Sequence, residues 1–194
     1  MKRRHLLATG LVATALLLTA CSGDGDPAPT SGSASFNDAD VEFATQMIPH
    51  HAQALHMVEM TERRDLDPDF AALTQAISDA QTPEIELMAG WLEDWDQEVP
   101  ETNGMGHMDG GMHGSDGMGS GMMSDADLEG LERSRDDAFE DMWLAMMIEH
   151  HEGAIAMAET EIDEGESADA IRLAVSIRDS QRAEIQVMEQ MLDD

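Results

Sequence analysis

Residues 40–57 read DVEFATQMIPHHAQALHM, and residues 139–157 read FEDMWLAMMIEHHEGAIAM. In both stretches apolar residues recur every three or four positions, which is the spacing of an amphipathic α-helix. Each stretch carries Met-Ile-x-His-His, and the two histidine pairs stand one hundred positions apart in a chain that has 8 histidines. This duplicated helical pattern decides the fold.

The repeat extends beyond the histidine pairs. Residues 36–94 align with residues 136–194 without a gap, and each half continues into a second helical stretch, AQTPEIELMAGWL at 80–92 and SQRAEIQVMEQML at 180–192. Two helical hairpins related in this way favour an all-α fold, an antiparallel four-helix bundle of the ferritin-like kind. We predict helices over about 37–64, 68–97, 136–163 and 168–194, with a short helix at 125–132.

The N-terminus predicts export. Lys2, Arg3 and Arg4 precede an apolar run that ends in LTAC, which is typical of a secretory signal. The stretch resembles a bacterial lipobox, which implies cleavage before Cys21 and lipid attachment to its sulfur, and so anchoring to the bacterial membrane. An ordinary signal peptide with an incidental cysteine is the alternative. The predicted segments are a signal peptide (1–20), a flexible tether (21–35), a first hairpin (36–97), a loop rich in Met, His and Gly (98–124) and a second hairpin (125–194).

Composition limits the function classes. A formal net charge of -31 repels nucleic acid and concentrates cations near the surface, although it also serves solubility. Cys21 is the only cysteine, so the acylated chain has no disulfide and no cysteine-based site. No Ser/His/Asp arrangement, phosphate-binding glycine loop or basic patch supports a hydrolase, nucleotide-binding or nucleic-acid-binding function. Enzyme activity is left open.

Helical periodicity places the histidine pairs on the inward face. His50 and His51 flank the arc that contains Met47, while Gln46 and Gln53 point away. The second half repeats this arrangement. The inward set of the two first helices is Asp40, Met47, His50, His51 and Met57, with Glu140, Met147, His150, His151 and Met157 as counterparts.

The second helix of each hairpin carries a carboxylate on its apolar stripe. Glu84 and Glu184 occupy equivalent positions, and burying either is costly unless something positive pairs with it. An imidazole from the first helix or a metal ion can be that positive partner. Two interpretations remain open, a metal site and a purely structural layer of His–Glu pairs that fixes helix register.

The residue types favour copper. Ferritin-like di-iron bundles use Glu-x-x-His, whereas Met47 and Met147 stand three residues before His50 and His150. Thioether ligands shift preference toward Cu(I), and imidazole suits copper in both oxidation states. The alternatives are a di-metal oxidase that binds iron or manganese through both histidine pairs and the carboxylates of Asp40, Glu140, Glu84 and Glu184, and a structural or interaction module without metal.

The segment 104–123 reads GMGHMDGGMHGSDGMGSGMM. Methionine gains nothing from burial in a solvated loop and is open to oxidation there. Closely spaced thioethers on a glycine-rich chain can surround Cu(I) or Ag(I), although a low-complexity linker is the simpler alternative. The candidate ligands are Met105, His107, Met108, Met112, His113, Met118, Met122 and Met123.

The two helical motifs together closely resemble the bacterial family catalogued as domain of unknown function 305. The resemblance covers about 36–97 and 125–194, and it implies a ferritin-like helical bundle in an exported protein. Members of the CopM type are associated with copper binding and copper resistance. The resemblance therefore implies that the partners of this chain are metal ions and a copper-handling protein, which the sequence does not identify. The family motif falls on Met47, His50, His51, Gln81, Glu84 and Met88, and on Met147, His150, His151, Gln181, Glu184 and Met188.

Overall fold

The computed structural model describes residues 35–62, 64–102, 121–135 and 137–193. Across these ranges the chain forms helices and no strand, so the predicted all-α bundle is confirmed. None of the helices found there is long and apolar enough to cross a membrane. The helices are α1 (Asp38–Glu59), α2 (Pro68–Asp94), α3 (Asp125–Arg133), α4 (Asp137–Glu164) and α5 (Ala168–Asp193).

Two helices end earlier than periodicity predicts, and local hydrogen bonds explain both ends. After α1, the Thr61 hydroxyl donates to the Val58 carbonyl at 2.6 Å and closes a turn. After α2, Asp96 adopts a left-handed conformation with φ 56°. This reversal lets the Gln97 N–H donate to the Leu92 carbonyl at 2.8 Å, which is the terminating bond of a Schellman motif. The apolar periodicity of the sequence does not show where these local hydrogen bonds end a helix.

The first helices of the two hairpins cross at the centre of the bundle. α1 packs on α2 and α4 on α5, while α1 also packs on α4, and α2 and α5 approach each other less closely. The Asn37 amide before α1 donates to the Glu164 carbonyl at the end of α4, at 2.8 Å. Near the other end, Trp143 Nε1 donates to the Met57 carbonyl at 2.8 Å. α1 and α4 are therefore antiparallel.

The core consists of two apolar clusters on either side of the histidines. One cluster joins the C-terminal half of α1 to the N-terminal half of α4 and includes Met57, Trp143 and Met147. The other joins the opposite halves and includes Met47 and Ala154. Since the histidine pairs lie between these halves in both helices, a polar layer divides the core.

Candidate metal centre

The imidazole rings of His50 and His150 lie against each other where α1 crosses α4. Their centroids are 3.7 Å apart and their planes are inclined by 39°. Both residues are buried, and the inward orientation predicted from periodicity is confirmed. The helix crossing thus brings together two histidines that are one hundred residues apart in the sequence.

The second histidine of each pair bonds to a carboxylate on the neighbouring helix. His51 Nε2 lies 2.8 Å from Glu84 Oε2, and His151 Nε2 lies 2.6 Å from Glu184 Oε2. The histidines are fully buried, whereas the glutamate side chains are 16% and 19% exposed. Each carboxylate therefore fixes the orientation of an imidazole, and the duplicated sequence pattern becomes a duplicated contact.

Several buried polar atoms of this layer have no hydrogen-bond partner among the described residues. They include Nδ1 of His51 and of His151, and both ring nitrogens of His150. The side-chain amide oxygen and nitrogen of Gln81 and of Gln181 also have no partner among the described residues. Leaving a buried polar atom unsatisfied costs about 1–3 kcal/mol, and native proteins contain few such atoms. Their concentration in one layer indicates a site that receives another group.

Burial keeps the His150 ring neutral. Desolvation is the main cause that holds the pKa of His150 well below its ordinary 6.5, and repulsion from His50, His151 and His51 lowers it further. A neutral imidazole has a free nitrogen lone pair, which is the form that binds metals. The ring is thus in a ligand-competent state at neutral pH.

Thioethers border the histidine layer on both sides. Met47 and Met147 are fully buried one helical turn before His50 and His150, and they belong to opposite apolar clusters. The other candidate methionines of the four long helices also reach the core. Met57 and Met188 lie in the same cluster as Met147, Met88 lies with Met47, and Met157 is partly buried against the second cluster.

Asp40 and Glu140 contact backbone amides instead of histidines. Asp40 Oδ1 accepts the Ser167 N–H at 2.9 Å, and Glu140 Oε1 accepts the Asp67 N–H at 3.0 Å. These are equivalent contacts, because each carboxylate on a first helix meets the residue just before the second helix of the other hairpin. Asp40 lies ten residues before His50, about 15 Å along α1. The structure therefore places both carboxylates outside the histidine layer.

Sequence reasoning missed Glu161, whose side chain is buried beside Asp40. Burial first, and then the Asp40 carboxylate, raise the pKa of Glu161 from 4.5 to about 8. Neither carboxylate oxygen of Glu161 has a partner when both groups are ionised. When Glu161 is protonated, its carboxyl group can donate a hydrogen bond to the Asp40 carboxylate. The sequence contained one signal for this residue, because Glu161 aligns with Thr61 in the repeat and so places a charged residue where the first half has a neutral one.

Gln53 is the other missed residue, and the prediction that it points away is wrong. It is 3% exposed because the chain at Met123 lies against it. Met123 is 5% exposed, and Met122 is partly buried. Cys21 and the other six candidates of the 104–123 segment lie outside the described residues, namely Met105, His107, Met108, Met112, His113 and Met118.

Among the described residues, no group of three or more His, Cys, Asp or Glu side chains is gathered as a set of metal ligands. The histidine layer instead offers the His50–His150 pair and two His–Glu pairs. A di-metal centre needs several carboxylates around each ion. Low-coordinate binding through imidazole and thioether fits this arrangement better, because Cu(I) and Ag(I) accept soft ligands.

A family model described as a domain of unknown function (DUF305) matches residues 40–192. The chain belongs to the DUF305 family. Among proteins of curated function, none matches the chain. The match includes the histidine layer and both hairpins, so the resemblance predicted from the motifs is confirmed.

Solved DUF305 structures share this fold. A DUF305 fragment from Deinococcus radiodurans has a TM-score of 0.70 and 29% identity over 81% of this chain and 97% of that chain. A candidate secreted DUF305 protein from Streptomyces coelicolor has a TM-score of 0.69 and 29% identity over 80% and 92%. CopM in its Cu(II)-bound form has a TM-score of 0.66 and 30% identity over 79% and 95%. CopM is also solved in Cu(I)-bound, Ag-bound and apo forms.

Proposed function

We propose that this DUF305 protein binds copper, as Cu(I) and Cu(II), outside the cytoplasm and holds it at the histidine layer of the bundle. The observation that carries the proposal is the set of buried ring nitrogens without protein partners, bordered by buried thioethers. Copper accepts both ligand types. The likeness to CopM, whose structures contain Cu(I), Cu(II) and Ag, supports the same conclusion and extends it to Ag(I).

The hydrogen bonds suggest a role for each histidine pair. Glu84 and Glu184 bond to Nε2 of His51 and His151, which leaves Nδ1 of each ring for a metal. A carboxylate behind a metal-binding histidine fixes the ring and strengthens it as a ligand. We therefore assign the two glutamates as orienting groups and the imidazoles of the layer as the ligands, one or two to an ion, because the described residues contain no set of three or more.

The methionines provide preference for the reduced ion. Met47 and Met147 stand one turn before His50 and His150, and their thioethers favour Cu(I) over harder divalent ions. Met57, Met88, Met157 and Met188 complete the soft surroundings. Gln81 and Gln181 present buried amide atoms that can bond to a ligand-bound water or to a ring nitrogen.

The N-terminal sequence and the methionine-rich segment set the cellular role that we propose. Export with a lipid on Cys21 would hold the bundle at the outer face of the membrane. The segment 104–123 would capture Cu(I) or Ag(I) through its thioethers, and the bundle would retain the ion. Sequestration for metal resistance, or transfer to a copper-handling protein, follows from such an arrangement.

A Cu(I) titration tests this function. Residues 22–194 are titrated anaerobically against a chromophoric chelator, in parallel with a variant that lacks 104–123 and a variant in which the four layer histidines are replaced by Gln. We expect each change to remove a separate share of the bound copper. Failure of the unchanged protein to compete with the chelator would refute the proposal.

A di-metal oxidase is less well supported. Its ligand set requires Asp40 and Glu140, and both carboxylates accept backbone N–H bonds at the helix ends. Glu84 and Glu184 remain, each with one histidine. Purification with iron or manganese and metal-dependent oxygen consumption would favour the oxidase instead.

A further inference from the structure

Residues 121–124, which we call the strap, lie across the crossing of α1 and α4. On the α1 side, the Gln53 amide nitrogen donates to the Met123 carbonyl at 2.9 Å, and its oxygen accepts the Met123 N–H at 2.7 Å. Both hydrogen bonds are buried. One side chain thus satisfies both backbone groups of a residue that belongs to no helix or strand.

The strap also touches α4, through Gly121. This glycine has φ +82°, and a Cβ atom there would lie 2.5 Å from the Glu149 carbonyl oxygen and 3.0 Å from the Gly153 Cα. Only glycine allows both this conformation and this approach. Gly153 is the repeat counterpart of Gln53, so the strap meets a long amide on one helix and a glycine on the other.

The strap packs about one helical turn beyond His50 and His150. Gln53 and Gly153 follow His50 and His150 by three residues, which places them on the same helix faces one turn away. At the end of the strap, Ser124 caps the start of α3 through a capping box that pairs it with Asp127. Before the strap in the sequence stand the methionines and histidines of residues 104–120. The strap therefore joins the two regions to which we assign metal binding.

We propose that the strap controls the passage of copper to and from the histidine layer, and that Gln53 is the positioning residue that keeps it closed. This inference rests on the proposed function. His50 and His150 are 1% and 0% exposed, and an ion that approaches from the strap side has to displace residues 121–124. Displacement breaks the two Gln53 hydrogen bonds but leaves the strap linked to α3.

The test compares Gln53→Ala and Gly121→Ala, which loosen the strap from opposite helices, with Gln46→Ala. Gln46 is exposed on α1 and bonds only to the exposed Glu42, so it is the matched control. Rates of Cu(I) loading and of release to excess chelator are measured by stopped flow on the chain without its signal segment, and hydrogen exchange is followed at the Met123 amide. Circular dichroism confirms that each variant is folded.

We expect both strap variants to raise the loading and release rates by about tenfold. Gln53→Ala removes the two buried hydrogen bonds that hold the strap to α1. Gly121→Ala places a Cβ atom against the Glu149 carbonyl oxygen, so the strap cannot keep its position on α4. The equilibrium affinity should change much less, since entry and exit accelerate together. Met123 exchange should accelerate in parallel, and Gln46→Ala should match the unchanged protein.

Two results would overturn the inference while leaving copper binding intact. One is faster Met123 exchange with unchanged copper rates, and the other is unchanged exchange in both strap variants. If the unchanged protein binds no copper, the proposed function itself fails and the inference fails with it, while the exchange data still report whether Gln53 holds the strap.

Discussion

His151 Nε2 lies 2.6 Å from Glu184 Oε2, and the same contact recurs at 2.8 Å between the equivalent residues of the other hairpin. The histidine is fully buried, and the glutamate is 19% exposed. One nitrogen of a buried imidazole is thus fixed by a partly solvated carboxylate, and the other has no protein partner. This geometry is the usual one behind metal-binding histidines, whose second nitrogen bonds to a carboxylate or carbonyl.

Replacing Glu184 by Gln should weaken copper binding without unfolding the bundle. The amide keeps a hydrogen bond to His151 but removes the negative charge that strengthens the ring as a ligand. We expect a roughly 10- to 100-fold loss in affinity, as for other outer groups of metal sites, measured by chelator competition. Glu189→Gln, at an exposed position of the same helix, is the control. Equal affinities of the two variants would show that Glu184 has no such role.

Replacing Met47 by Leu should separate the two oxidation states of copper. The substitution nearly conserves volume in a fully buried position, so it should cost less than about 1.5 kcal/mol of stability. Loss of the thioether should lower the Cu(I) affinity and leave Cu(II) binding nearly unchanged. Met60→Leu, near the end of α1, provides the control. A Cu(I) affinity equal in both variants would make Met47 a packing residue only.

Asp40→Ala should destabilise the fold and leave the copper stoichiometry intact. Asp40 accepts N–H bonds from Asn37, Glu166 and Ser167, and its removal leaves these donors without a partner at the helix ends. We expect the free energy of unfolding to fall by about 3 kcal/mol in a urea titration. Asp38→Ala, on the exposed first turn of α1, should change it by less than about 0.5 kcal/mol. If the Asp40→Ala protein is folded but binds less copper, Asp40 would have to be counted as a metal ligand.

Glu161 should make stability fall as pH rises. Its pKa is about 8 in the folded protein, compared with an ordinary 4.5, so between these values the folded state keeps a proton that the unfolded state loses. The stabilising effect is complete below pH 4.5 and is lost as pH approaches 8. One pKa unit corresponds to about 1.4 kcal/mol, so a shift from 4.5 to about 8 should cost roughly 5 kcal/mol of stability over this range.

Glu161→Gln removes this dependence, and the melting temperature should vary less between pH 5 and 8 in the variant than in the unchanged protein. Asp40 acts in a different window. Burial pushes the pKa of Asp40 up, but hydrogen bonds from the Asn37 backbone, Glu161 and the Ser167 and Glu166 amides outweigh burial and lower it below 3.8. Stability from Asp40 is therefore lost only in strong acid. Parallel profiles for Glu161→Gln and the unchanged protein would contradict the assignment to Glu161.

Periodicity was sufficient to predict the helices and the burial of both histidine pairs, because a helix places residues three and four apart on one face. It placed Gln53 wrongly, since a helical wheel contains no information about a distant segment that packs against the helix. It assigned Asp40 and Glu140 to the inward face, and this is correct for Asp40, which is buried. Their partners are helix ends of the other hairpin, which only the packing of the two hairpins brings near.

The sequence by itself determined that two copies of a Met-Ile-x-His-His helix must bury their histidines in one bundle. Local hydrogen bonds and the apolar spacing depend on neighbours in the chain, so they can be inferred from the chain. The tertiary structure decided that the His50 ring lies against the His150 ring, that each second histidine meets its own glutamate, and that the strap lies over the crossing. These contacts depend on the angle and register at which α1 meets α4, which are set by the packing of the whole core.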